Sequence, residues 1–184
     1  AYISLTGTTK SFNGITVLKN VDFDVRPGEV HALLGADGAG KSTLIKIMAG
    51  VDTPDGGTIR IQGETVSFSS TRDASKRGIA TVYQELLLFP ELTIAENIFL
   101  GAYPKSNWGG IDWDTVRERS RALLDSLDSA ELDVDTKVAR LSVAQRQRVE
   151  IAKALSRDAR VLIMDEPTAS LAEADVQRLM DVVR

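Results

Sequence analysis

Gly35-Ala36-Asp37-Gly38-Ala39-Gly40-Lys41-Ser42-Thr43 is the stretch on which the reading of this 184-residue chain turns. It fits the pattern G-x-x-x-x-G-K-[ST], which carries meaning only between a strand and a helix. Both flanks comply. Val30-His31-Ala32-Leu33-Leu34 is an apolar run too short for a helix, and it predicts a buried strand of the kind found in parallel sheets. Leu44, Ile45, Ile47 and Met48 predict a short helix that Gly50 ends. Between them the glycines allow a tight turn, so that successive N–H groups can point inward at phosphate oxygens. The helix start adds its unpaired N–H groups and the positive end of its dipole. Lys41 supplies a cation for β- and γ-phosphates, and the Ser42 hydroxyl suits Mg²⁺. Gly35, Ala36, Asp37, Gly38, Ala39, Gly40, Lys41, Ser42 and Thr43 are therefore expected to cradle a nucleoside triphosphate. Asp37 opposes this, because two like charges ~4 Å apart repel by about 4 kcal/mol at an effective dielectric of 20. Its carboxylate must point away, pair with a cation, or weaken binding.

A second apolar run, Val161-Leu162-Ile163-Met164, ends in Asp165-Glu166-Pro167. A strand ending in two carboxylates places them at the C-terminal edge of a sheet, where open α/β sheets bind ligands. Asp165 would hold Mg²⁺ through water, and Glu166 would orient or deprotonate an attacking water. Alone, such a strand end reads equally well as a solvated edge; the phosphate cradle upstream gives it meaning.

Working outward, Ile3 and Leu5, then Val21, Phe23 and Val25, alternate with polar residues and predict strands before the Arg26-Pro27-Gly28 turn. Pro54-Asp55-Gly56-Gly57 reads as a turn, and Thr58–Ile61 and Thr65–Phe68 around Gly63 read as a hairpin. Ile79–Tyr83 predicts another strand, and Gly101–Gly110 a mobile surface loop. Asp112 is placed to cap a helix whose face carries Trp113, Val116, Ser120, Leu123, Leu124 and Leu127, with Ile111 and Val116 as a staple. A further amphipathic helix is expected from Val143 to Leu155, and helical spacing resumes from Ala172. Strands interleaved with helices indicate an α/β fold, with the helix-rich stretch 101–155 inserted as a subdomain.

Composition narrows the function classes. The chain is 43% hydrophobic and 26% charged, long enough for one domain with a real core. It has no cysteine and one histidine, which excludes disulfides, zinc fingers and histidine-cluster metal sites. A net charge of −4 offers nucleic acid no global basic field. No run approaches the ~18 apolar residues of a membrane span, and no signal-peptide pattern is present. A soluble protein of a reducing compartment is expected, with any membrane role peripheral. His31, inside the predicted strand before the cradle, is read as structural.

Leu141-Ser142-Val143-Ala144-Gln145-Arg146-Gln147 resembles the signature motif of ATP-binding cassette (ABC) ATPases. With GADGAGKST, the Gln84 of Val82-Tyr83-Gln84-Glu85 and VLIMDEPTASL, the motif order is similar to that family over nearly the whole chain. The resemblance implies a P-loop NTPase of ABC type, an α/β fold with a mixed sheet core, an N-terminal antiparallel β subdomain and an inserted α-helical subdomain. Residues 1–184 would form a single nucleotide-binding domain. About 1–100 and 156–184 would be its core with the β subdomain, and about 101–155 its helical subdomain. It implies ATP and Mg²⁺ as ligands, with two cassettes sandwiching two ATPs. Ser142, Ala144 and Gln145 would close on the γ-phosphate of the opposing cassette, helped by the N–H groups opening the helix. Phe12 matches the aromatic that stacks on adenine, although alone it reads as strand packing. Gln84 matches the loop glutamine that contacts Mg²⁺ and senses a membrane partner. Ser42, Gln84 and Asp165 would serve the metal, and Lys41 and Glu166 the hydrolysis. Leu86-Leu87-Leu88-Phe89-Pro90 would lie near the surface that receives a membrane subunit, or equally would be core. Arg146 and Arg148 read as a polar helix face.

A finer similarity is to the first cassette of bacterial monosaccharide importers, carried by Val30–Gly35, Leu92-Thr93-Ile94-Ala95-Glu96-Asn97-Ile98 and Val149–Leu155. It implies membrane-spanning permease subunits and a second cassette as partners, an extracytoplasmic sugar-binding protein indirectly, and no nucleic acid. The expected location is cytoplasmic, on the inner face of the membrane. Three residues depart from the pattern: Ala144 stands in place of a glycine, Asp37 of an asparagine, and Ala172 of an aspartate common in many cassettes. The switch histidine and last strands of the family do not occur here, so a fragment that binds nucleotide but turns it over slowly is expected. Two other readings remain: a soluble ABC ATPase acting on nucleic acid or ribosomes, and a non-catalytic nucleotide-gated module.

Overall fold

The computed structural model describes residues 1–82 and 87–165. The chain divides into two compact units, Ala1–Ile79 and Ala80–Arg184.

The first unit opens with strands β1 (Ile3–Phe12) and β2 (Ile15–Val25), followed by helix α1 (Lys41–Met48), strands β3 (Gly56–Ile61) and β4 (Glu64–Val66), and helix α2 (Thr71–Lys76). The strands form one sheet in the order β2-β1-β3-β4, and each neighbouring pair is antiparallel. Asn13-Gly14 and Gln62-Gly63 join the strand pairs by two-residue turns, with φ of 51°, 82°, 50° and 86°. Positive φ at both turn positions is what matches a tight hairpin to the right-handed twist of its strands. Register sets Ile3 opposite Ile61 and Leu5 opposite Ile59, and all four are buried. The alternating pattern of the N-terminal strands and the hairpin around Gly63 are thus as expected. On α1, Leu44, Ile45, Ile47 and Met48 are buried, and Gly50 follows the helix at φ 71°.

The run Val30–Leu34 departs from expectation. It has no regular secondary structure, and Val30 and Leu34 are 61% and 87% exposed. A strand buried on both faces needs a ladder partner, and none of the described strands hydrogen-bonds to these residues. Its apolar composition alone does not make a strand. His31 is accordingly not in a strand. It is exposed, its ring lies tilted 4.8 Å from that of Phe23, and its Nδ1 sits 3.6 Å from Glu29 Oε1.

In the second unit come β5 (Ile79–Val82, starting at the boundary), α3 (Ile94–Ile98), α4 (Trp113–Ser126), a 3₁₀ turn over Val138–Arg140, α5 (Val143–Leu155) and β6 (Val161–Met164). β5 and β6 pair as a two-stranded sheet. Asp112 caps α4 as expected, accepting from Thr115 N, and Val116, Ser120, Leu124 and Leu127 of that face are buried. Trp113 and Ile111 remain 39% and 40% exposed at its rim. α3, α4 and α5 enclose a core that includes Ile94, Ile98, Val116, Leu124, Val149 and Ile151. α5 spans the predicted residues. The helix read from Ala172, together with Tyr83, Gln84, Leu86 and Glu166, lies outside the described residues.

Candidate functional site

The loop from Gly35 to Gly40 runs directly into α1. Gly40 is the N-cap residue, at φ 88° and ψ 4°, in the left-handed region that favours glycine. A Cβ at that position would lie 2.7 Å from Leu18 Cδ2 and 3.1 Å from the Val17 carbonyl. Both the backbone angle and the seat on β2 therefore require glycine. Gly38 is also left-handed, at φ 78°, and Ala39 N donates to Ala36 O at 3.1 Å to close a turn. No side chain caps α1, and Leu44 N is bonded to Gly40 O at 2.9 Å. The earlier N–H groups of the first turn are thus left for an outside acceptor, at the positive end of the helix dipole.

Lys41 bends back over this loop. Its Nζ donates to Gly35 O at 2.6 Å and to Ala36 O at 2.9 Å. Neutral carbonyls hold the ammonium at the loop it belongs to, and an anionic phosphate is the stronger acceptor for it. Asp37 is exposed on the turn, where water and salt screen its charge. Phe12, at the end of β1, is 41% exposed, with Lys10 Nζ 5.3 Å from its ring centroid. An aromatic face at the surface suits stacking on a base, and the neighbouring ammonium does not remove that capacity.

The remaining candidates belong to the second unit. Ser142 is the exposed N-cap of α5 and forms a capping box: Gln145 N donates to Ser142 Oγ at 3.2 Å, and Ser142 N donates to Gln145 Oε1 at 2.9 Å. The Gln145 side chain is engaged in the cap. Ser142 keeps its hydroxyl proton, and the N–H groups of Val143 and Ala144 open the helix. Ala144 lies in the helix with negative φ, a conformation in which alanine is favoured over glycine. Asp165 follows β6, half-buried, with its N–H donating to Val82 O at 3.1 Å.

Leu87 and Phe89 are exposed, at 57% and 54%, whereas Leu88 packs against the core. The buried Asn97 fixes their segment, since its Oδ1 accepts from Phe89 N at 2.7 Å and its Nδ2 donates to Phe89 O at 3.0 Å. The polar-face reading of α5 needs correction. The Arg148 side chain is only 13% exposed and pairs with Glu131 at 2.8 Å, and the Nε atoms of Arg146 and Arg148 are buried without a hydrogen-bond partner. Two residues escaped the sequence reading altogether. Glu150 is buried, desolvation pushes its carboxyl above the usual range, and Lys153 Nζ lies 3.6 Å from it.

Among the described residues no cluster of three or more histidine, cysteine or acidic groups could hold a metal.

Comparison with known proteins supplies the family. The ABC transporter family model matches residues 18–169. The ribose import ATP-binding protein RbsA 2 of Rubrobacter xylanophilus is 49% identical over 180 residues, 97% of this chain and 34% of that protein. RbsA of Rhodococcus jostii is 51% identical over 176 residues, 96% of this chain and 35% of that protein. The chain thus spans about a third of the length of these curated relatives. Among solved structures, the ADP conformation of MJ1267, an ATP-binding cassette of an ABC transporter, superposes with a TM-score of 0.86 at 25% identity, over 99% of this chain and 75% of that one. CbiO1 from Clostridium perfringens, part of the ABC transporter complex cbiONQ, gives 0.85 at 28% identity, over 99% and 72%. With its α/β fold and ordered motifs, this chain belongs to the ABC transporter family.

Proposed function

We propose that this chain is the ATP-binding and hydrolysing cassette of an importer for a simple sugar. The observation that carries this reading is the loop Gly35–Gly40, with its two left-handed glycines, feeding an uncapped helix start beneath the Lys41 ammonium. Such a loop can offer N–H groups and a mobile cation to a polyphosphate and little else. The roughly 50% identity to ribose import ATP-binding proteins supports sugar import as the process served.

Residues 35–43 bind the phosphates, and Phe12 stacks on the adenine. Ser42, Gln84 and Asp165 are the residues that would hold Mg²⁺, which would supply neutralisation of phosphate charge when bound. Lys41 leaves the Gly35 and Ala36 carbonyls and donates to the β- and γ-phosphates. Glu166 orients the water for in-line attack. Ser142, with the N–H groups of Val143 and Ala144, accepts the γ-phosphate of an opposing cassette, and Gln145 holds Ser142 in place. The partners are that second cassette, permease subunits engaging the Leu87–Phe89 surface, and indirectly a sugar-binding protein outside the membrane. The working location is the cytoplasmic face of the membrane. Residues 1–184 act as one cassette, with 101–155 as its helical subdomain.

A fluorescent ATP analogue titrated with and without Mg²⁺, then displaced by unlabelled ATP, tests the core of this. Metal-dependent binding that Ser42→Ala weakens is expected. Metal-independent binding, or displacement by inorganic phosphate as effectively as by ATP, contradicts it.

A further inference from the structure

Lys10 and Phe12 belong to β1, and the Lys10 ammonium stands over the Phe12 ring, 5.3 Å from its centroid. Two acceptors hold it there. Lys10 Nζ donates to Thr53 O at 2.7 Å and to Asp55 Oδ1 at 3.2 Å. The other carboxylate oxygen of Asp55 accepts from Ser11 N at 2.7 Å, and Asp55 N donates to Thr9 O at 2.8 Å. Asp55 therefore binds the strand on both sides of Lys10, whose side chain is only 15% exposed. The segment that supplies these acceptors leaves the end of α1, where Lys46 O accepts from Val51 N at 2.8 Å and from Asp52 N at 3.2 Å.

A cation held over one face of an aromatic ring is attracted by the negative charge of that face and draws on it. The opposite face becomes less negative, and rings stack more readily when two negative faces do not meet. Phe12 is 41% exposed, so it is not sealed by the ammonium. The Ser11 N–H and the Lys10 ammonium hold the Asp55 carboxyl below the usual carboxylate range, so Asp55 is charged at neutral pH and offsets Lys10. Little net charge is then left at this corner for a distant phosphate to feel.

The geometry points to Lys10, held by Asp55 and Thr53, as a determinant of base recognition: it covers one face of Phe12 and prepares the other for a nucleobase. This rests on the stacking role proposed for Phe12 above. Lys10 is a positioning residue that acts through Phe12 and not on the phosphates.

Affinities of the full chain for ATP and for inorganic tripolyphosphate, both with Mg²⁺, test this by displacement of a ribose-labelled fluorescent ATP analogue. Tripolyphosphate carries the phosphates without a base. Lys10→Met is expected to weaken ATP about fivefold and to leave tripolyphosphate unchanged. Lys10→Arg, which keeps a cation for the ring, is expected to restore most of the ATP affinity. In a Phe12→Ala background Lys10→Met is expected to cost nothing further, since the ring through which it acts is gone. Should Lys10→Met fail to fold, Lys10→Met/Asp55→Asn removes both charges and is read in the same way. Equal weakening of both ligands marks a merely structural role and overturns the inference. So does unchanged ATP affinity, no rescue by arginine, or the same loss without Phe12. Phe12→Ala with undiminished ATP affinity would contradict the stacking reading itself. Phe12→Ala that weakens ATP, beside Lys10→Met that does not, would contradict the role of Lys10 alone.

Discussion

Leu18 Cδ2 lies 2.7 Å from the position a Cβ on Gly40 would occupy, so the last glycine of the phosphate loop is seated directly on β2. The same residue holds φ at 88°, which any side chain disfavours. Gly40→Ala is therefore expected to destabilise the chain by about 1–3 kcal/mol from backbone strain, with the steric overlap added. Nucleotide affinity should fall as the start of α1 shifts. Chemical denaturation beside a binding titration checks both. Unchanged stability and affinity would mean that the loop is not anchored on β2.

Asp37→Asn addresses the one carboxylate in the loop. Because Asp37 is exposed, screening reduces its repulsion of phosphate well below the unscreened figure. Tighter Mg·ATP binding is expected, by at most about tenfold, or ~1.4 kcal/mol, and the gain should shrink as salt rises. Weaker binding in the variant would show that Asp37 has a positive role in the site.

The cap of α4 gives a pH dependence of known sign. Thr115 N donates to Asp112 at 3.0 Å and Thr115 Oγ1 at 2.8 Å, and these bonds hold the Asp112 carboxyl below the usual carboxylate range. A carboxyl lowered in the folded state contributes stability that is present above its unfolded pKa and lost as pH falls through the folded value. Asp112→Ala should lower Tm at neutral pH, and the gap to wild type should close below about pH 4. Thermal melts from pH 3 to 8 read this directly.

Ala144 stands where a glycine was expected, yet it occupies an early helical position with negative φ. Alanine is the better helix former there, so Ala144→Gly should cost stability, by up to about 1 kcal/mol. Binding of ATP by the chain alone should not improve, because the proposed role of this residue is toward an opposing cassette. A marked gain in affinity would show that Ala144 crowds the chain's own nucleotide.

The sequence made legible what depends on local chemistry. Asp112 before an apolar stripe marks a helix start because a side-chain oxygen must satisfy an open N–H group nearby. Gly63 marked its hairpin for an equally local reason, whereas the Asn13-Gly14 turn emerged only from the structure. Val30–Leu34 misled because an apolar run shows neither whether ladder partners exist nor where they lie. Arg148 looked like a solvated charge, and Lys153 drew no role at all, because their partners are distant: Glu131 is 17 residues away and Leu87 is 66. Leu87 accepts through its main-chain carbonyl, and such an acceptor leaves no trace in residue identity. Of the candidate site, the glycine-rich turn and the helix that follows it were legible, whereas the strand expected before the turn does not form and the capping role of Gln145 emerged only from its hydrogen bonds.

The central claim is that Gly35–Thr43 is an assembled cradle for Mg·ATP. Isothermal calorimetry of Mg·ATP with the wild-type chain and with Lys41→Ala tests it most directly. One bound nucleotide per chain is predicted, with affinity at least about thirtyfold weaker in the variant, ~2 kcal/mol for lost charge-assisted bonds. No binding by the folded wild-type chain, or equal affinity in the two proteins, would contradict it.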